Sequence, residues 1–235
     1  MIKTELNKRS PLRILEQSTR GGVGSGNIGV IAARKGVGKT ACLVHIATDL
    51  LFQGKHVIHI SFSANTEHII SWYEDIFNEI AERNNLDNVM DIHDEVIAKR
   101  IIMNFNQKGV ALNKVAKSVR AMISDGNFTA KSLIIDGYDL EQSTVEDIRE
   151  LKAMALEAGL EIWFSASLAD NQTQFDQNGV PLILKKIVDE ISILICLRQK
   201  DDYIHLELEK DFDIFPSSDL HLKLDPETLL IVETI

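Results

Sequence analysis

The sequence predicts an α/β fold: a mainly parallel sheet with helices on both faces and antiparallel strands at one edge. Three observations carry this. Short apolar, β-branched runs alternate with longer segments whose apolar residues recur roughly every three to four positions. The first such run passes into a glycine-rich turn and then into a helical pattern. Late in the chain, strand patterns follow one another with only turns between them.

Taken in order, residues 1–20 read as a polar, basic arm with a short helix after Pro11, and residues 21–235 as the domain proper. GGVGSGN, Gly21 to Asn27, is a turn-rich loop. IGVIAA, Ile28 to Ala33, is a buried strand, and TACLVHIATDLLFQG a helix that stops on Gly54. HVIHISF is a strand rich in β-branched residues. TEHIISWYEDIFNEIAER places Ile69, Ile70, Tyr73, Ile76, Phe77 and Ile80 at helical spacing, so it is an amphipathic helix. DNVMDIHDEVIAK is a further helix, RIIMNF a strand, and ALNKVAKSVRAMISDG a helix ending on Gly126. SLIIDGYDL is a strand, TVEDIRELKAMALEAG a helix and EIWFSAS a strand. PLILKKIVDEI has no clear period. SILICLRQKDDYIHLELEK reads as two strands around QKDD, and DLHLKLDPETLLIVE as one more hairpin.

With 235 residues, 45% hydrophobic and 26% charged, the chain has the makings of one large soluble domain with a sizeable core. Its net charge of -10 argues against wholesale binding to nucleic acid or to an anionic membrane. Cys42 and Cys196 each sit in an apolar run and read as buried free thiols of a reducing compartment, although spacing alone leaves a disulfide open. No apolar stretch approaches the ~20 residues that span a bilayer. The opening MIKTELNKRSPLRILEQ lacks an apolar signal core, so the expected location is cytoplasmic.

The chemistry concentrates in AARKGVGKTA. The phosphate-loop pattern G-x-x-x-x-G-K-[ST] is met by Ala33, Arg34, Lys35, Gly36, Val37, Gly38, Lys39 and Thr40, with Ala33 in place of the first glycine and Ala41 following. Gly36 and Gly38 let the backbone turn its N–H groups inward. A helix starting near Lys39 adds its positive end. Lys39 is then placed for the β- and γ-phosphates of ATP, and the Thr40 hydroxyl for magnesium. LIIDG supplies Asp136, a carboxylate closing four apolar residues; it suits magnesium, or caps the following turn, and Asp139 is the second choice. GGVGSG precedes its strand and so is no dinucleotide fingerprint. His56 and His59, three apart in a strand, face opposite sides and share no metal. Trp72 and Tyr73 read as helix-face core residues, with base stacking as the alternative.

GGVGSGNIGVIAARKGVGKTACLVHIA resembles the opening of RecA-like ATPases of the KaiC and DnaB type, and AAR with GKTA is similar to replicative helicases of the DnaB class. SLIIDGYDL resembles that family's Walker B strand, EIWFSASL its next strand, and ISILICLRQKDDYIHLELEK its late hairpin. The resemblance runs from about residue 12 to the end and implies a RecA-like P-loop core that binds ATP and magnesium through Thr40 and Asp136. The helicases' separate N-terminal domain has no counterpart in it.

The departures bear on hydrolysis. The family places a catalytic glutamate after its second strand, where this chain has Ser63 and Ala64. Glu67 lies a few residues on, and reads either as a displaced base or as a favourable charge at a helix N-terminus. The family's polar sensor falls on Ala166, between Ser165 and Ser167. Its lysine and arginine in the late hairpin, which reach a neighbouring subunit, become Lys210 followed by Asp211 and Phe212. Lys210 alone reads as a solvated lysine at a strand end. Ala169 to Leu184, where the family presents a DNA-facing loop, has no lysine or arginine. The expectation is therefore an ATP-binding interaction or regulatory module, at best a slow ATPase, with a protein partner or a second copy and without nucleic acid. The alternative is an active ATPase whose base has moved to Glu67.

Overall fold

The computed structural model of this chain describes residues 2–63, 67–105, 109–169, 174–200 and 202–234. Its strands are β1 (Ile28–Arg34), β2 (His56–Ser61), β3 (Arg100–Asn104), β4 (Ala130–Asp136), β5 (Glu161–Leu168), β6 (Ile193–Lys200), β7 (Tyr203–Asp211), β8 (Ser218–Leu224) and β9 (Ile231–Glu233). They form one sheet in the order β3-β2-β4-β5-β1-β6-β7-β8-β9. The strands from β3 to β6 are parallel, and β7, β8 and β9 add antiparallel at one edge.

The helices are α1 (Ile2–Arg9), α2 (Leu12–Ser18), α3 (Lys39–Phe52), α4 (Glu67–Arg83), α5 (Val89–Ala98), α6 (Leu112–Ser124) and α7 (Val145–Ala158). They divide the core in two. Residues of α3, α4 and α5 pack with Ile31, Val57 and Ile134 on one face. Residues of α6 and α7 pack with Val30, Ile58 and Ile135 on the other. Neighbouring positions of one strand thus serve opposite cores, which is why β1 and β4 read as continuous apolar runs. Local signals fix the ends: Thr144 and Asp147 form a capping box at the start of α7, and Gly159 closes it with φ 68°.

The arm carries two helices, where the sequence suggests one. α1 is mostly polar and so shows no periodicity. Leu6, Leu12 and Leu15 are buried in the α3-side core, and Arg13 pairs with Asp49 of α3. PLILKKIVDEI resolves into two 3₁₀ turns, Leu182–Leu184 and Val188–Glu190, too short for a period to emerge. Of the stretch from Ala169 to Leu184, residues 170–173 lie outside the described residues. Cys42 and Cys196 are buried free thiols, and burial pushes both up to about 12. Among the described residues no helix is long and apolar enough to cross a membrane.

His56 and His59 do face opposite sides. His56 meets Phe128 edge-on, while buried His59 meets Tyr73 of α4, its Nδ1 3.1 Å from the phenol oxygen. Burial pushes His59, and His45 on α3, down to about 4. Both are neutral in the folded chain at a pH where the unfolded chain begins to protonate them, so their contribution is present above about pH 6.5 and is lost as pH falls toward 4. We predict that unfolding free energy falls with acidification across this window, each histidine adding a slope of up to about 1.4 kcal/mol per pH unit. Urea titrations at a series of pH values check this: His59→Leu should flatten the slope, whatever it does to absolute stability.

Candidate functional site

β1 delivers the chain into the loop Lys35–Gly38, and α3 departs from it. Gly36 and Gly38 have φ 82° and 107°, which side-chain-bearing residues rarely adopt. A Cβ on Gly36 would meet nothing within 4 Å, whereas one on Gly38 would collide with the Leu224 side chain. α3 starts on Gly38 with no side-chain cap, and its first intrahelical bond runs from the Cys42 N–H to the Gly38 carbonyl. No side chain caps the earlier N–H groups of this first turn.

Lys39 is buried, and its Nζ donates to the Ala33 and Arg34 carbonyls at 3.0 and 2.9 Å. Burial pushes its ammonium down, and nearby Asp136 partly restores it. The Thr40 hydroxyl donates to Asp136 at 2.9 Å. Asp136 closes β4, and the next residue, Gly137, donates its N–H to the Ser165 hydroxyl at 2.8 Å. Thus the carboxyl ends of β1, β4 and β5 converge on one place, as ligand sites of parallel sheets do.

The loop opens on a cleft of about 440 Å³. Lys35, Gly36, Val37, Gly38, Lys39 and Thr40 line one side, with Ser63, Asp136, Ser165 and Ser167 around the strand ends. The opposite wall is apolar: Trp72 of α4, Ile204 of β7, and Leu224, Pro226 and Leu229 at the turn between β8 and β9. Arg83, at the end of α4, holds that turn through Asp225 at 3.2 Å and Thr228 at 2.9 Å. No periodicity or motif points to this wall, because it assembles from three separate elements.

The residues expected at the site do not all reach it. Ala33 and Arg34 contribute carbonyls to Lys39 and do not line the cleft, and Ala41 is buried under the loop. Asp139 accepts from the Glu141 N–H and Gln142, capping a 3₁₀ turn away from the cleft. Ser63 lines the cleft, its hydroxyl 2.8 Å from that of Ser61; Ala64 lies outside the described residues. Glu67 opens α4, is exposed, and does not line the cleft.

Two expectations are corrected. Ala166 is buried in the α6/α7-side core, because alternate residues of β5 face opposite sides; the cleft instead receives the Ser165 and Ser167 positions. Lys210 is not solvated: it is 5% exposed, and its ammonium donates to the Ile191 carbonyl. Tyr73 enters the core as expected, and Trp72 packs against the same core while also reaching the cleft, adjacent helical residues pointing about 100° apart. Asp211 pairs with Arg20 at 3.2 Å, and Phe212 adopts φ 52°.

No family model matches this chain, and no curated protein does. Among solved structures it is similar to one described as an ATPase domain, with a TM-score of 0.69 over 95% of this chain and 89% of that one, at 15% identity. The fold is RecA-like. At that identity the likeness establishes the architecture alone.

The loop geometry makes a prediction of its own. Gly38→Ala combines an unfavourable φ with the Leu224 collision and should cost on the order of 1–3 kcal/mol in urea denaturation. Adding Leu224→Ala should relieve the collision but leave the backbone cost, so the double variant stays below Leu224→Ala alone.

Proposed function

We propose that this chain binds Mg-ATP in the cleft above α3 and turns it over slowly or not at all, serving as a nucleotide-dependent interaction or regulatory module. The observation that carries the binding half is the meeting of Thr40 with Asp136 at 2.9 Å beside the buried ammonium of Lys39. These are the donors and acceptors that a magnesium-bound triphosphate requires. The residues fit that group: Gly36 and Gly38 leave two positions of the loop without side chains, and Lys35 and Lys39 are the cations among the described residues lining the cleft. A bound magnesium ion would supply positive charge against the phosphates. Thr40 and Asp136 would hold it, Lys39 would neutralise phosphate, and the N–H groups of the first turn of α3 would donate to phosphate oxygens. The apolar wall around Trp72 and Leu229 offers an apolar surface for a nucleobase.

Slow turnover is supported by the carboxylate inventory. Among the described residues lining the cleft, Asp136 alone is acidic, and it is engaged by Thr40. Ser63 has no basicity with which to activate water, Glu67 sits outside the cleft, and Lys210 is committed to a carbonyl within its own chain. We therefore favour a module over an active ATPase with a displaced base. A protein partner or a second copy of the chain is the proposed reader of the bound state, in a cytoplasmic setting.

Two measurements test this. Calorimetry should find Mg-ATP binding that Lys39→Ala weakens roughly 10- to 150-fold, the worth of a hydrogen bond to a charged group. Unchanged affinity in that variant would remove the loop as the site. Fluorescence anisotropy should find no single-stranded DNA binding tighter than about 1 μM at physiological salt, as the charge of -10 implies.

A further inference from the structure

The turn between β8 and β9 is anchored at its ends by burial of Leu224, Leu230 and Ile231. Residues 225–229, between them, are half-buried or exposed. Bonds within the turn give it its shape. The Leu229 N–H donates to the Asp225 carbonyl at 2.8 Å, the Asp225 N–H to the Leu230 carbonyl at 2.9 Å, and the Glu227 N–H to the Asp225 carboxylate at 3.0 Å. None of these bonds sets where the turn sits over the cleft. Arg83 of α4 does reach across: one guanidinium nitrogen donates to the Asp225 carboxylate at 3.2 Å and to the Thr228 hydroxyl at 2.9 Å. Two further features tie the turn to the cleft. Leu224 lies against Gly38, where an added Cβ would collide with it. Leu229 lines the cleft and adopts φ 61°, a left-handed conformation that a bulky side chain rarely takes. Strain of this kind persists where surrounding contacts enforce it, and it gathers at ligand sites.

We propose that Arg83 is a positioning residue for the nucleobase. By holding the turn it keeps Pro226 and Leu229 on the same wall as Trp72, and these three side chains give the base its apolar contact. Arg83 is not among the described residues lining the cleft, so it acts through the turn and not by touching the nucleotide. The phosphates draw on the opposite side, Lys35 to Thr40, and owe Arg83 nothing. The inference rests on the nucleotide reading above, and names within it what favours a nucleoside triphosphate over a bare polyphosphate. The Arg83 side chain is 40% exposed and that of Asp225 24%. Loss of such a part-exposed pair should cost about fivefold in affinity, the upper end for surface ion pairs.

Calorimetry on the full chain with two probes, Mg-ATP and Mg-tripolyphosphate, tests it. Arg83→Gln should weaken Mg-ATP about fivefold and leave Mg-tripolyphosphate within twofold, and Arg83→Lys should restore most of the loss, since an ammonium can serve both acceptors. A merely structural role would weaken both probes alike and would not single out the one that carries a base. Should Arg83→Gln fail to fold, the double variant Asp225→Ser, Thr228→Val unhooks the same contact from the turn's side, with a serine oxygen left for the Glu227 N–H, and should show the same selective loss. Lys39→Ala serves as the control for the nucleotide reading and should weaken both probes. If the unmodified chain binds neither probe, or Lys39→Ala changes neither, that reading fails and this inference with it. If Lys39→Ala weakens both probes while unhooking the turn spares Mg-ATP, or weakens the two probes equally, the reading stands and the role of Arg83 alone is overturned.

Discussion

The contact between Thr40 and Asp136 is the constraint around which the rest is arranged. Two residues 96 positions apart meet at 2.9 Å, and this requires three strands to end at one level. β4 pairs with β5, and β5 with β1, so the register that sets Ile135 opposite Phe164 and Ala33 opposite Ser167 also sets Asp136 beside the start of α3. A slip of one residue would turn Asp136 into the α6/α7-side core and leave a carboxylate there without a partner. The two cores make that slip expensive, because every residue of β4 from Ser132 to Asp136 is buried.

The walls of the cleft depend on two polar anchors set back from it. Tyr73 is fixed in the core by His59, and the Arg100 guanidinium lies 4.3 Å over its ring. That pairing sets the rotation of α4 and so points Trp72 at the cleft. At the other end of α4, Arg83 holds the turn carrying Pro226 and Leu229. One helix thus positions both parts of the apolar wall, and the loop Lys35–Gly38 needs no contact with either anchor.

Much of this is legible in the sequence. The loop is contiguous, its glycines and lysine are fixed by backbone chemistry, and an apolar run that ends on Asp136 has little reason to carry a carboxylate unless a ligand uses it. The helices with wide apolar stripes, α4 and α6 above all, and both late hairpins are readable from period alone. What stays hidden is non-local. Ile204, Leu224 and Leu229 look like ordinary strand and turn residues until the fold brings them to the cleft. Lys210 looks like a surface lysine because nothing local announces the Ile191 carbonyl that receives it. Ala166 is a different case: strand alternation by itself assigns Ser165 and Ser167 to one face and Ala166 to the other, so its place in the core follows from the sequence once the strand is recognised.

The proposal to be tested first is that this loop holds Mg-ATP and turns it over slowly or not at all. The most direct test is the identity of the nucleotide recovered from the protein after prolonged incubation with Mg-ATP and removal of free ligand. The account predicts intact ATP, close to one per chain, and none retained by Lys39→Ala. Recovery of ADP, with sustained phosphate release near or above about 1 per second, an ordinary enzymatic rate, would contradict it.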